Sequence, residues 1–180
     1  MTGLNTESDK IMSLCCMITD ANLNIYDDKG YEAIIHHDKE TLDKMDAWCT
    51  KTHGHSGLTK ACLESTTTAE LAADQLLRYI KVFVPEHNSA LLAGNSVHAD
   101  KGFLSKPPYN HVLKHLHHRI FDVSTLKEAA RRWASDSILA AVPQKQNLHQ
   151  AREDILESIE EARYYRKVLF GEQETLAGGD

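Results

Sequence analysis

The chain has 180 residues, of which 42% are hydrophobic, and this length suits one compact domain with a substantial core. No apolar run approaches the roughly 20 residues that a membrane helix needs, so the sequence predicts no membrane-spanning segment. The formal net charge of −6 argues against a protein that coats long nucleic acid by bulk electrostatic attraction, but it allows a ligand with few phosphates.

Two segments near the N-terminus have the composition of β-strands. Residues 10–19 (KIMSLCCMIT) and 31–36 (YEAIIH) are mainly apolar, and residues 27–30 (DDKG) between them have the composition of a turn. This pattern predicts an antiparallel pair of strands, with residues 24–26 as a third strand piece.

Helices are predicted for the next part of the chain. Residues 40–65 indicate short helical segments interrupted at residues 53–55 (HGH), and residues 68–84 indicate a longer helix that Pro85 ends. The buried face of this longer helix is predicted to contain Ala72, Leu76, Ile80 and Phe83.

Strands and helices alternate in the second half of the chain. Residues 90–93 predict a buried strand, and the helix that follows it through residues 103–104 stops at the prolines at 107–108. Ser124 has the side chain of a helix N-cap. Three further elements are predicted, namely a helix at residues 111–118, a strand at 119–122 and a helix at 124–133.

The last predicted helix, at residues 150–169, has the clearest amphipathic pattern in the chain. Its apolar stripe consists of Ile155, Ile159, Ala162, Tyr165 and Leu169. Because strands come first and helices then alternate with strands, the sequence predicts the α/β class with a mixed sheet. We expect a single domain over residues 1–170 and a flexible tail at residues 171–180.

His149 and Asp154, at the start of the last helix, are candidates for metal-assisted hydrolysis. An imidazole can act as a general base, and a carboxylate can hold a metal ion. Positions five apart lie about 140° from each other on a helix, so His149 would have to lie in the loop before it. The structural alternative is a loop histidine followed by a first-turn acid that the helix dipole favours, and spacing alone favours this alternative.

Asp100 is a second candidate, because it follows residues 94–99 (GNSVHA) near the predicted end of a strand, where α/β folds place their ligands. Taken alone, it is more typical of an exposed acid at the start of a helix.

The segments considered together resemble the oligoribonucleases, in order and in approximate spacing over residues 1–170. They are residues 1–4 (MTGL), 45–53 (MDAWCTKTH), 94–104 (GNSVHADKGFL), 118–133 (HRIFDVSTLKEAARRW) and 149–166 (HQAREDILESIEEARYYR). This family belongs to the exonucleases that place four acidic residues and one histidine on a ribonuclease H-like sheet. The resemblance therefore implies that fold and a 3′-to-5′ exoribonuclease, which hydrolyses very short single-stranded RNA, especially dinucleotides, to nucleoside 5′-monophosphates.

The resemblance also implies a catalytic role for each candidate. Asp100 and Asp154 match the third and fourth acidic metal ligands, and His149 matches the general base. Two Mg²⁺ or Mn²⁺ ions would activate the attacking water and stabilise the leaving 3′-oxygen, and carboxylates suit such hard cations. A neutral His149 would take the proton from the water near neutral pH.

Two positions match the residues that wedge the bases in the family. They are Leu4 and Trp48, and stacking of a base on an aromatic face contributes about 1 to 3 kcal/mol whatever the sequence. The structural alternative for Trp48 is a buried core tryptophan.

Further matches concern the cap over the far phosphate of a dinucleotide, which selects short chains because a longer strand would clash with it. The matching residues are His53, Ser96, Arg119 and Ser124. His118 stands where a tyrosine commonly precedes the arginine, a departure that affects the strength of the cap. The family assembles as a homodimer in which the arginine segment reaches the partner's site.

One part of the family pattern has no counterpart. In oligoribonucleases an apolar strand that ends in Asp-Leu-Glu precedes the MTGL turn, whereas Met1 begins this sequence. Glu7 and Asp9 follow the turn and cannot replace the first two acidic ligands. We expect the sheet to lack its first central strand and the sequence to be a fragment of an active enzyme. Equal hydrolysis by this chain and by an upstream-extended one would contradict that expectation.

Two alternatives remain. A metal-poor relative would hold short RNA through Leu4, Trp48 and Arg119 without cutting it. A zinc protein would use His111 and His115, four residues apart on a predicted helix, with nearby histidines. The stretches HADK and LHHRI are more similar to eukaryotic oligoribonucleases, which implies an intracellular protein of mitochondria, cytosol or nucleus.

Overall fold

A computed structural model describes residues 1–144 and 151–171. Its strands are β1 (Ser13–Cys16), β2 (Tyr31–Ile34), β3 (Leu92–Gly94) and β4 (Ile120–Asp122). Its helices are α1 (Lys39–Leu42), α2 (Ala47–His55), α3 (Leu58–Glu64), α4 (Ala69–Phe83), α5 (Val97–Leu104), α6 (Asn110–His115), α7 (Val123–Trp133), α8 (Asp136–Ala140) and α9 (Ala151–Phe170). In the described ranges no helix is long and apolar enough to cross a membrane.

The strands confirm the α/β class and combine antiparallel with parallel pairing. β1 pairs antiparallel with β2, and β3 pairs parallel with β4, so within the described residues the strands form two small sheets. Leu14 of β1 and Leu92 of β3 both pack against a core cluster that includes Leu76 and Val112. Apolar side chains from the helices therefore connect the two sheets.

The N-terminal strands are shorter than the segments at residues 10–19 and 31–36, but they pair as predicted. The third strand piece is confirmed as a single antiparallel bridge between Thr19 and Ile25.

The predicted interruption at residues 53–55 is wrong, because α2 continues through this stretch to His55. The Asp46 side chain caps α2 by accepting a hydrogen bond of 2.7 Å from the Cys49 N–H. The chain turns instead at Gly57, whose φ of +80° lies in the left-handed region that glycine adopts without steric cost.

The helix predicted at residues 68–84 is confirmed as α4. Thr68 caps α4, and Ala72, Leu76 and Ile80 are buried as predicted. Phe83 is only half-buried, because it lies at the end of the helix and stacks on Tyr26 with ring centroids 6.2 Å apart.

The helix predicted at residues 111–118 ends at His115. Leu116 adopts an extended conformation, and the His117 N–H donates a hydrogen bond of 2.8 Å to the Ala90 carbonyl. Pairing with the segment that precedes β3 therefore stops the helix before His117 and His118.

Ser124 is not the N-cap of α7. The side chain of Asp122, two residues earlier, accepts a 3.0 Å hydrogen bond from the Ser124 N–H and caps the helix. The Asp122 carboxylate, at the end of β4, therefore caps the helix in place of the predicted Ser124 hydroxyl.

The last helix packs against α7. Ala162 and Tyr165 are buried with Val123 and Ala130, which confirms part of the predicted stripe. Ile155 and Ile159 are only half-buried. One unpredicted charged side chain shares this face: Glu161 is 1% exposed. The predicted start of the helix at Gln150 and the tail beyond residue 171 lie outside the described residues.

Candidate active site

The segment that contains Leu4 is held by the Asp9 carboxylate. Asp9 accepts hydrogen bonds from the Thr2 hydroxyl at 3.2 Å and from the Asn5 N–H at 2.8 Å. A Cβ atom at Gly3 would collide with the same carboxylate, so a larger residue would displace Asp9 from its present position. Leu4 is 82% exposed at the turn and is available to a ligand.

Helix α2 places Trp48 and His53 beside this segment. The His53 Nε2–H donates a hydrogen bond of 2.9 Å to the Met1 carbonyl, and this bond ties the first residues to α2. Trp48 is 60% exposed at the start of the helix, so it is not a buried core tryptophan. This exposure contradicts the core-packing role that was the alternative to base stacking.

Ser96 and Ser124 lie side by side, because each follows its strand by two residues and the ends of the two strands are in register. Gly94 of β3 is opposite Asp122 of β4 in the parallel pair. The two serine hydroxyl oxygens are 3.2 Å apart, and the Ser96 N–H donates to the Ser124 hydroxyl at 2.9 Å. This pair lies at the carboxyl edge of a parallel sheet, where α/β proteins bind ligands.

Ser96 has a left-handed backbone conformation, with φ +52°. Such a conformation is uncommon for a residue other than glycine. It directs the Ser96 N–H at the Asp122 carboxylate, 3.0 Å away, as well as at Ser124. Asp122 also lines an open groove of about 460 Å³, together with residues such as His98 and Thr125.

The segment with His118 and Arg119 is tied to α5. The Lys101 ammonium donates a hydrogen bond of 2.7 Å to the His118 carbonyl. The His118 ring stacks on His117 with centroids 4.3 Å apart, and both His118 and Arg119 are exposed. Partial desolvation and then the positive charges of His118 and Arg119 lower the pKa of His117.

Asp100 has charged neighbours near Leu4 and near the Ser96 and Ser124 pair. It lies in the first turn of α5 and is partly buried, and burial raises the pKa of its carboxyl group. The Met1 ammonium and His98 oppose this rise, whereas the Asp122 charge adds to it. Asp100 therefore interacts electrostatically with the Met1 ammonium, near Leu4, and with Asp122, the carboxylate that accepts from the Ser96 N–H.

Asp154 is exposed in the first turn of α9. His149 lies outside the described residues. The assembly of Asp100, His149 and Asp154 into one catalytic centre therefore stays a prediction.

The resemblance to oligoribonucleases implies divalent metal ions at this site. In residues 1–144 and 151–171, however, no three Asp, Glu, His or Cys side chains form a group that could hold a metal ion. Asp100 has the right chemistry, because a cation would offset the cost of its partly desolvated charge. The described residues do not fit a complete two-metal site by themselves.

Both histidines of the zinc alternative have protein partners. The buried His115 Nε2 is 2.8 Å from the Val84 carbonyl, which can only accept a hydrogen bond. His111 Nε2 lies 3.3 Å from an Asp74 carboxylate oxygen. These contacts favour a structural role for the pair.

Sequence reasoning did not single out Asn95, Asp122 or Glu161. The position of Asp122 directly before a predicted helix is a typical N-cap signal and would have identified it. Asn95 stands in a Gly-Asn-Ser turn, which is a weaker indication. Glu161 follows another glutamate in an acidic helix, and nothing in that pattern indicates burial.

The chain matches the family model described as "Exonuclease" over residues 1–162. It is 47% identical over 172 residues to "Oligoribonuclease, mitochondrial" of Mus musculus, covering 94% of this chain and 70% of that protein. It is 45% identical over 166 residues to "Probable oligoribonuclease" of Schizosaccharomyces pombe, covering 92% of this chain and 64% of that protein. It is 43% identical over 171 residues to "Oligoribonuclease" of Pseudoalteromonas translucida, covering 94% and 91%.

These matches cover every segment of the resemblance up to residue 162 and include both eukaryotic and bacterial relatives. The chain belongs to the exonuclease family, among the oligoribonucleases.

Proposed function

We propose that this chain is a 3′-to-5′ exoribonuclease that hydrolyses very short oligoribonucleotides, especially dinucleotides, to nucleoside 5′-monophosphates. The observation that carries the proposal is the contact between Ser96 and Ser124 at the edge of the β3 and β4 sheet, with Asp100 four residues after Ser96. The hydroxyl groups that we propose to bind phosphate thus lie about one helical turn from a partly desolvated carboxylate. The similarity to oligoribonucleases supports the same activity.

Within this function, we assign roles to the residues of the predicted centre. Asp100 and Asp154 are the proposed ligands for Mg²⁺ or Mn²⁺, and His149 is the proposed general base. Asp100 is supported by its partial burial, because a desolvated carboxylate gains more from a nearby cation than an exposed one does.

The remaining site residues are proposed to select short substrates. Leu4 and Trp48, both exposed, would contact the bases. The proposed phosphate-cap residues are His53, Ser96, His118, Arg119 and Ser124. The exposed Arg119 guanidinium supplies positive charge.

Hydrolysis of a 5′-labelled diribonucleotide tests the proposal. We expect nucleoside 5′-monophosphates to form with Mg²⁺ or Mn²⁺ and not with EDTA, and we expect a 24-nucleotide RNA to be degraded more slowly. Products that form equally fast in EDTA, or a preference for the long RNA, would contradict the proposal.

Trp48→Ala should weaken binding of a diribonucleotide about tenfold or more, because loss of base stacking costs about 1 to 3 kcal/mol. The fold should remain intact, since Trp48 is 60% exposed. Calorimetry in EDTA measures the affinity, and thermal unfolding monitors stability. Trp133→Ala is the matched control, because Trp133 is 82% exposed at the end of α7 and has no assigned role. Equal affinities of the two variants would rule out the stacking role.

A second candidate function is a protein that binds short RNA without cutting it. It would use the exposed Leu4, Trp48 and Arg119, which can contact bases and a phosphate without a metal ion. Calorimetry with a diribonucleotide, beside a turnover assay in Mn²⁺, separates the two functions. Binding without products would identify the binding protein.

We also propose that residues 1–170 form one domain, that the chain forms a homodimer and that it is an intracellular protein. The mitochondrial designation of the mouse relative supports mitochondria as the compartment to examine first. Light scattering of the purified chain would measure the mass of the assembly, and a monomer at micromolar concentration would contradict the dimer.

A further inference from the structure

A polar network connects the turn after β3 to α9. At its centre is Glu161, which is 1% exposed and lies 3.7 Å from the Lys127 ammonium. A carboxylate buried in this way requires charged or hydrogen-bonding neighbours. One of these neighbours is the Asn95 side-chain amide, whose nitrogen is 3.1 Å from Glu161 Oε2.

Every polar function of the Asn95 side chain has a partner. Its amide nitrogen donates to Glu161 and also to the Ser158 hydroxyl at 2.8 Å. Its carbonyl oxygen accepts from the Ser124 hydroxyl at 3.2 Å. Because a carboxylate only accepts hydrogen bonds, Glu161 determines which end of the amide faces α9 and which faces Ser124.

Ser158 continues the network to the turn of α9 that contains Asp154. Its hydroxyl accepts the hydrogen bond from Asn95 and donates one of 2.7 Å to the Asp154 carbonyl. Serine hydroxyls that bond the carbonyl four residues earlier influence the local geometry of a helix. Asn95 is therefore two hydrogen bonds from the backbone of Asp154 and one from Ser124.

We propose that Asn95 is a positioning residue that fixes the turn of Asp154 relative to the Ser96 and Ser124 pair, with Ser158 as its link to α9. This inference rests on the proposed function, because the two groups it connects are the proposed metal ligand and the proposed phosphate cap. The amide makes no contact with substrate in this role. It holds the two parts of the site in one relative orientation, although Asn95 and Asp154 are 59 residues apart in sequence.

Asn95→Asp and Ser158→Ala distinguish the link from Asn95 to Ser124 from the link through Ser158 to Asp154. Asn95→Asp keeps the shape of the side chain but removes both N–H donors and places a second carboxylate beside Glu161. Both links are therefore disturbed. We expect the Kd for a 5′-phosphorylated diribonucleotide in EDTA to rise about tenfold and kcat to fall about tenfold or more.

Ser158→Ala removes the hydrogen bonds of Ser158 to Asn95 and to the Asp154 carbonyl, but it leaves the bonds of Asn95 to Ser124 and Glu161 in place. We expect kcat to fall about tenfold, with Kd and KM within about twofold of wild type. Ser158→Thr should restore kcat, because a threonine hydroxyl can also bond the carbonyl one turn earlier. Circular dichroism must show that each variant is folded at the assay temperature, so that a smaller folded fraction does not imitate the loss of kcat.

Matched controls are Asn88→Asp, on an exposed loop, and Ser137→Ala, at an exposed position of α8. Both should behave as wild type. If Ser158→Ala behaves as Ser137→Ala does, or if Ser158→Thr does not recover kcat, the positioning role is wrong. Ser158→Ala also tests the role if Asn95→Asp fails to fold.

Hydrogen exchange without substrate distinguishes failure of this inference from failure of the proposed function. Asn95→Asp and Ser158→Ala should accelerate amide exchange at residues 154–158 more than the controls do. Unchanged exchange overturns the positioning role whatever the activity. The other outcome is faster exchange in the variants together with a wild-type protein that neither binds nor cleaves the dinucleotide. That result overturns the proposed function, and the network then has no catalytic role.

Discussion

Asp100→Asn should lower the rate of diribonucleotide hydrolysis about 1,000-fold, because loss of a metal-binding carboxylate removes several kcal/mol of transition-state stabilisation. The same change should not destabilise the protein. Burial raises the pKa of Asp100, which means that the folded protein disfavours its charged form, and asparagine is neutral with nearly the same shape. We expect a free energy of unfolding equal to or higher than that of wild type.

Steady-state hydrolysis and denaturant unfolding measure the two effects at pH 7. Asp136→Asn is the matched control, because Asp136 is an exposed acid in the first turn of α8. Full activity of Asp100→Asn would remove Asp100 from the catalytic centre. Loss of activity together with a loss of more than about 1 kcal/mol of stability would indicate a structural role instead.

Tyr165→Ala should lower the free energy of unfolding by about 3 to 5 kcal/mol, the cost of truncating a large buried aromatic side chain. Tyr165 is 1% exposed and lies in the cluster that joins α9 to Val123 and Ala130 of α7. Domains of this size are stable by about 5 to 15 kcal/mol, so the loss removes a large share of the total. The docking of α9, and with it the turn of Asp154, depends on this contact.

The midpoint of urea unfolding measures the effect. The control is Tyr26→Ala, because Tyr26 is 63% exposed and makes a stacked pair with Phe83. It should cost about 1 kcal/mol, the value of an aromatic pair. If both substitutions cost the same, the cluster between α7 and α9 does not stabilise the chain as its burial indicates.

Elements with a strong periodic pattern were predictable from the sequence. Helix α4 and its buried residues Ala72, Leu76 and Ile80 follow from apolar spacing, which arises within a single helix. The antiparallel pairing of β1 and β2 follows from two apolar segments and a short turn. Such patterns act over a few residues, so no knowledge of distant contacts was needed.

The errors occurred where a distant or competing partner decided the outcome. Helix α6 stops before His117 because that residue pairs with the Ala90 carbonyl. Asp122, and not Ser124, caps α7. Helix α2 passes through Gly54 because glycine costs only about 1 kcal/mol in a helix, which a good N-cap such as Asp46 offsets.

For the site, the sequence by itself determined the chemical types: the carboxylate Asp100, the hydroxyls of Ser96 and Ser124, and the indole of Trp48, within segments that resemble oligoribonucleases. The tertiary structure alone decided that the two serines touch, because the parallel register of β3 and β4 places the ends of the two strands opposite each other. It also decided that Glu161 is buried and bonded to Asn95, 66 residues away. Local patterns encode helices and strands, whereas the partners of a buried polar group depend on how those elements pack.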